Sequence, residues 1–227
     1  MPAFEQPFQV AGARGSNVAA VLPGADSLLR GSWIVIGAHF DHVGTSAERS
    51  SDPERGWVVR PGADDNASGT AAVLELARRL SRRPPARSVL FVHFDAEELG
   101  LIGSRMFVRE PPIPVDSLML MINLDMVGRL RDQPLIIDIA STGNAFSGLV
   151  DTLAMEGGLR LRFSSVYSTR SDHGSFEDVM VPAFAFFTGL HADYHAATDI
   201  PAKVDAAGIL RIVDLVERLV RVAGPRL

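Results

Sequence analysis

Residues 33–38 read WIVIGA, and His39, Phe40 and Asp41 follow directly. A continuous apolar run of this length suits a strand buried on both faces of a sheet. Residues 88–94 (SVLFVHF) and 118–124 (LMLMINL) read the same way, with Glu97 and Glu98 just beyond the first and Asp125 just beyond the second. Residues 17–22 (NVAAVL), 135–139 and 182–187 are further strand-like segments. Helical patterns lie between them. Ala71, Leu74, Ala77 and Leu80 recur at three- or four-residue steps within 67–83, and residues 146–156 read as a second helix. Ile209, Ile212, Val213, Val216, Leu219 and Val220 form one apolar stripe near the end of the chain. One more helix is expected between Glu98 and the Pro111-Pro112 breaker. Strands alternating with helices predict an α/β fold, a three-layer α/β/α sandwich around a mostly parallel, mixed sheet.

Working outward, residues 1–16 mix polarity with proline and glycine and are expected to be a loose leader, ahead of a single domain over 17–227. Residues 45–61, polar and without periodicity, are expected to be a surface loop on the rim of the site. A net charge of -5 argues against a nucleic-acid partner, whose phosphates favour a basic surface. The arginines at 78, 79, 82, 83 and 87 fit the solvated face and positive end of a helix. The absence of cysteine excludes disulfides, thiolate metal sites and cysteine nucleophiles. No apolar stretch approaches a membrane span, and residues 1–15 lack the basic start and apolar centre of a signal peptide.

Ligands in such sheets bind beyond the carboxyl ends of the strands. His39, Glu97, Glu98 and Asp125 each follow a strand, Asp65 stands at a helix entry, and His195 comes shortly after the strand near Phe187. Zinc accepts imidazole nitrogen and carboxylate oxygen, and a single carboxylate can bridge two cations. The expectation is a metallohydrolase with two such cations, zinc or another divalent metal. Asp65 would bridge them, His39 and Asp125 would complete one shell, and Glu98 and His195 the other. A water held between the cations would lose its proton near neutral pH and attack. Glu97 is the expected general base, Asp41 would accept a hydrogen bond from His39, and Tyr194 would donate to the developing oxyanion.

Plainer roles exist for each piece. Asp64-Asp65-Asn66 suits a helix N-cap, Glu97-Glu98 a charged helix start, and His39-Phe40-Asp41 an ordinary turn. His42 and His93 read as structural. Asp172 and His173 fit support of the site or a helix start, and His191 and Asp193 the shaping of the His195 loop. Phe184, Phe186 and Phe187 suit either a pocket wall or plain core.

His39-Phe40-Asp41, Pro61-Gly62-Ala63-Asp64-Asp65-Asn66-Ala67-Ser68-Gly69, Glu97-Glu98-Leu99-Gly100, Asn123-Leu124-Asp125-Met126 and Tyr194-His195 resemble, in order, the motifs of the cocatalytic zinc aminopeptidases. That family includes the bacterial leucyl aminopeptidases and aminopeptidase S. Ser171-Asp172-His173 and Thr188-Gly189-Leu190-His191 also look like its bacterial members, and the likeness runs from about Asn17 to the end. The resemblance implies the same ligands, the same base and the same tyrosine donor. It also implies peptide substrates with a free N-terminus, whose amine binds near Glu97 and Asp125. Many members are exported, which points to a secreted or periplasmic setting, with the cytoplasm left open by the first residues. Asp95-Ala96 departs from the small or hydroxyl residues common before the glutamate pair. Rival readings on the same site are a carboxypeptidase or deacylase, and an acyltransferase like the single-zinc glutaminyl cyclases. A non-catalytic binding domain is the reading outside the enzymes. Side-chain preference and oligomeric state are not written in these motifs.

Overall fold

The computed structural model describes residues 1–10, 12–139, 146–164 and 170–223. Eight strands form one sheet: β1 (Ala3–Val10), β2 (Ala13–Leu22), β3 (Trp33–His39), β4 (Ser88–Phe94), β5 (Leu118–Leu124), β6 (Leu135–Ile139), β7 (Leu161–Ser164) and β8 (Ala183–Phe187), in the order β1-β2-β4-β3-β5-β8-β6-β7. The four central strands, β4, β3, β5 and β8, run parallel, while β2 and β6 flank them antiparallel. Their carboxyl ends therefore share one edge. Helices α1 (Ala67–Arg82), α3 (Ser147–Glu156) and α5 (Ala206–Ala223) cover one face of the sheet, and α2 (Ile102–Arg109) and α4 (His173–Glu177) cover the other. This is the three-layer α/β/α sandwich with a mixed sheet that the alternation predicts. No helix among the described residues is long and apolar enough to cross a membrane.

The central strands are buried on both faces: Ile34, Ile36, Ile122 and Leu124 pack under α1 and α5, while Val35, Leu90 and Met121 pack towards α2 and α4. That two-sided burial is why these runs are continuously apolar. The stripe on α5 places Ile212, Val213, Val216, Leu219 and Val220 in the same core as Leu76 and Leu80 of α1.

The loose leader over residues 1–16 is not what forms. Ala3–Val10 is an edge strand that pairs along its length with β2, which begins at Ala13 rather than at Asn17. Its mixed polarity reflects alternation, with Phe8 buried and its neighbours facing outward. Pro7 is tolerated because β1 has no further neighbour. Three smaller differences follow from length and position. Strand β7 has four residues and α4 five, too few to display a period. Arg87 leaves the helical basic run altogether: it lies buried at the foot of β4 and donates to the Ser32 hydroxyl. The cap of α1 is Asn66, whose Oδ1 accepts from the Gly69 amide, so neither aspartate before it serves as the cap. Gly69 is required there, since a Cβ would sit 2.1 Å from the Leu124 carbonyl oxygen.

Candidate metal centre

The parallel strands deliver their following residues to a common edge. His39 is the last residue of β3, Asp125 directly follows β5, Glu97 and Glu98 occupy the turn after β4, and Asp65 immediately precedes the cap of α1. His195 arrives on the loop after β8. His39, Asp125, Glu98 and His195 meet around Asp65. One of its oxygens, Oδ1, lies 3.3 Å from His39 Nε2, which is itself 3.5 Å from Asp125 Oδ1. The other, Oδ2, lies 3.0 Å from His195 Nε2, which is 3.1 Å from Glu98 Oε2. The aspartate thus presents one oxygen to each of two separate donor sets.

Both imidazoles are held in one tautomer by backbone. His39 Nδ1 is 3.1 Å from the Asp41 carbonyl oxygen, and His195 Nδ1 is 3.0 Å from that of Arg49. A carbonyl only accepts, so each Nδ1 carries the hydrogen and each Nε2 faces the carboxylates, the orientation that metal-bound histidines adopt. Burial pulls both imidazoles towards neutrality, but the carboxylates outweigh it. His39 is held well above its ordinary pKa, chiefly by Asp125, and His195 is pushed up to about 10 by Asp65 and Glu98. The cluster attracts positive charge.

Whether a metal fits can be read from the donors themselves. His39, Glu97 and Asp125 offer ligand atoms within 4.8 Å of one another, and so do His42, Asp65, Glu98 and His195. Asp125 Oδ1 is buried with no hydrogen-bond partner, although its other oxygen accepts from Ser171 Oγ at 2.6 Å. Imidazole nitrogen and carboxylate oxygen in this ratio suit zinc. The residues fit the metal.

The remaining expected residues take more specific places. Asp41 does not chiefly hold the imidazole by its carboxylate, which is 3.5 Å from His39 Nδ1. Instead its two oxygens accept from the backbone amides of Glu97 (3.0 Å) and Glu98 (3.2 Å), fixing the turn that presents the pair. Burial pushes the Glu97 carboxyl up to about 9; His39 opposes this, while Asp172, Asp125 and Glu98 reinforce it. Tyr194 stacks on His195 with ring centroids 3.8 Å apart. Burial and the nearby carboxylates raise its hydroxyl above the ordinary value and keep it a donor. Ala96, Met126 and His195 adopt left-handed backbone, with φ of 57, 50 and 53 degrees. Such conformations cost roughly 1–3 kcal/mol each and collect at functional sites; here they sit at or beside Glu97, Asp125 and His195.

Several supporting residues escaped the sequence reading. His42, taken there as structural, places Nδ1 3.0 Å from Glu98 Oε1 and packs edge-on against His195. Gly62 makes room for it, because a Cβ would lie 2.6 Å from the His42 ring. Asp199 is fully buried and accepts from the amides of both Asp64 and Asp65, while Arg129 holds its other oxygen at 2.8 Å. Asp64 does not face the donor sets: it accepts from the Gly128 amide and the Ser68 hydroxyl and meets His191 Nε2 at 3.0 Å. The signal for His42 was its place one residue past His39-Phe40-Asp41, and for Ser171 the Ser-Asp-His triplet. Nothing local marks Asp199, whose partners are 134 and 135 residues away. Of the three phenylalanines on β8, Phe184 and Phe186 are core, whereas Phe187 lines a cavity of about 190 Å³ that opens from the cluster.

Comparison with known proteins identifies the family. The model of peptidase family M28 matches residues 17–220, and the chain belongs to that family. It is 32% identical over 197 residues to leupeptin-inactivating enzyme 1 of Streptomyces exfoliatus, covering 83% of this chain and 39% of the relative. It is 30% identical over 190 residues to aminopeptidase YwaD of Bacillus subtilis, covering 78% of this chain and 40% of that one. The solved aminopeptidase of Aneurinibacillus sp. strain AM-1 superposes with a TM-score of 0.74 at 30% identity, over 90% of this chain and 47% of the other. A glutaminyl cyclase of Porphyromonas gingivalis shares the fold, with a TM-score of 0.76 at 18% identity, over 95% of this chain and 82% of that one. The chain thus spans about two-fifths of the length of these two curated relatives.

Proposed function

We propose that this chain is a metallo-aminopeptidase domain that holds two zinc ions and releases N-terminal residues from peptides. The observation that carries the reading is the division of Asp65, with Oδ1 turned to His39 and Oδ2 to His195. His39 and Asp125 would hold one ion, Glu98 and His195 the other, and Asp65 both. When bound, the ions would polarise the scissile carbonyl and acidify the attacking water.

The rest of the work falls to the chain. Bound cations would offset the burial that raises the Glu97 carboxyl. As a carboxylate it takes the water's proton as the new C–O bond forms, and returns it to the leaving amine as the C–N bond breaks. Its turn is fixed by the Asp41 carboxylate, so its reach to the water does not depend on a mobile loop. Tyr194 donates its hydroxyl to the developing oxyanion. The carboxylates of Glu97 and Asp125 receive the protonated α-amine, which explains a demand for an unblocked N-terminus.

The test is a metal count joined to a substrate comparison. Zinc-loaded protein should carry two ions per chain, hydrolyse unblocked aminoacyl amides, and leave their N-acetylated forms intact. Equal turnover of blocked substrates would replace the aminopeptidase with a deacylase. One zinc per chain with formation of pyroglutamate from N-terminal glutamine would replace it with a cyclase.

A further inference from the structure

The loop from Gly44 to Pro61 has no apolar interior. Within it only Asp52 and Arg60 are buried, while Trp57 and Val59 face solvent. The loop is folded around that pair. Arg60 Nε donates to Asp52 Oδ1 at 2.7 Å, and one terminal nitrogen donates to the Asp52 carbonyl at 3.0 Å. The other terminal nitrogen donates to the carbonyls of Gly56 and Val58 at 3.3 and 3.2 Å. The Arg60 amide closes the base of the loop on the Gly44 carbonyl. A planar guanidinium can satisfy several carbonyls at once in this way, and an apolar side chain could not. The Ala197 amide, and after it Arg60, hold the Asp52 carboxyl below its ordinary value against the effect of burial, so it is charged at neutral pH.

What this loop grips is one half of the metal centre. The Arg49 carbonyl accepts from His195 Nδ1 at 3.0 Å, and the Ser51 amide donates to the His195 carbonyl at 3.0 Å. Asp52 Oδ2 accepts from the Ala197 amide at 2.9 Å, so one carboxylate joins the interior of the loop to the turn that carries His195. These contacts surround a residue with left-handed backbone, φ 53 degrees, a conformation that persists only where its surroundings fix it. Arg49 also donates to the Glu98 carbonyl at 3.4 Å. The other half of the centre is held from elsewhere, His39 by the Asp41 carbonyl and Asp125 by the Ser171 hydroxyl.

We propose that Asp52 and Arg60 are positioning residues for His195, fixing the direction of its imidazole and thereby the affinity of the His195 half of the metal centre, separately from the His39 half. The two act through the loop. The guanidinium holds its shape, and the carboxylate ties that shape to the amide two residues past the imidazole. The consequence for metal rests on the two-ion reading, whereas the hold on the imidazole does not.

The test uses the full chain with nitrogen-15 in its histidines, first metal-free and then titrated with zinc. In the metal-free protein the Nδ1 protons of His195 and His39, each bonded to a carbonyl, should both be visible and protected from exchange. His195→Gln and His39→Gln assign the two signals. In Arg60→Gln the His195 proton should exchange at least roughly tenfold faster while the His39 proton is unchanged, as an opening confined to one loop requires. Zinc competition against a graded chelator should then show the His195 half weakened about 10–100-fold and the His39 half as in wild type. Asp52→Asn can accept from only one of the two former partners and should give the same asymmetry at smaller size. It decides the matter if Arg60→Gln does not fold. Both protons exchanging faster together would mark a general loss of structure and overturn the proposal, as would no change in either. A wild-type His195 proton as unprotected as that of free imidazole overturns it whatever the variants do. If the wild type takes up one zinc or cleaves no peptide, the two-ion peptidase reading falls, and the exchange comparison still decides whether Asp52 and Arg60 position His195.

Discussion

Under α1 and α5 the sheet is sealed by Leu76, Leu80, Val213, Val216, Ile34, Ile36, Ile122 and Leu124, all without measurable exposure. At the carboxyl edge of the same strands, His39, Asp64, Asp65 and Asp199 are buried nearly as completely, none more than 3% exposed. The first region needs apolar volume in the right places, a requirement many side chains meet. The second is tolerable only when each charge finds a partner or a cation. Its partners are therefore specific: Asp199 for two amides, Asp41 for two more, Ser171 for one oxygen of Asp125. One region secures the fold and the other spends part of that security on chemistry.

The sharpest way to separate the two is a substitution that alters chemistry without altering either packing or charge partners. Glu97→Gln keeps the shape of the side chain and the amide that Asp41 holds. Zinc content and melting temperature should stay near wild type while kcat falls by roughly 10²–10⁴, the usual contribution of a positioned base. Turnover within a factor of ten of wild type would remove Glu97 from that role and weaken the idea that the rim is built around it.

The apolar layer is probed by its own truncation. Leu76→Ala, inside the core shared by α1, α5 and the sheet, should cost about 2–5 kcal/mol in urea unfolding. Zinc bound per folded chain should not change. If the same truncation released zinc at temperatures where the protein is still folded, the two regions would not be separable.

How much of each region could be read beforehand follows from this difference. The central strands and the long helices announce themselves because burial on both faces, or on one stripe, writes a repetitive pattern along the chain. Strand β1 was lost because an edge strand with one face in water looks like an unstructured polar segment, and β7 because four residues carry no period; of α4 only the start at Asp172-His173 could be offered, as one of two readings. Ligand candidates were legible since each is a chemically distinctive side chain just past a strand. Their supports were not. Asn66 replaced the aspartates as the cap by a hydrogen bond that composition alone could not assign. The Asp41 carboxylate turned out to serve backbone amides, which have no letter in the sequence, and Asp199 reaches its partners from across the chain.

His42 tests whether support at the rim is as specific as the geometry implies. Its Nδ1 stands 3.0 Å from Glu98 Oε1, leaving Oε2 towards His195, so the imidazole selects which oxygen of Glu98 is turned to the donor set. It sits in space that Gly62 leaves by having no side chain. Removing it frees the Glu98 carboxylate to rotate but deletes no member of the expected ligand set. His42→Ala should therefore weaken zinc on the His195 side by about 10–100-fold, the usual effect of losing a ligand's hydrogen-bond partner. Competition against a graded chelator would read this as one ion lost early and one retained, with kcat largely recovered at saturating zinc. A chelator curve matching wild type would make His42 mere filling, as the sequence alone suggested. Irreversible loss of that ion at any zinc concentration would instead make His42 a ligand in its own right.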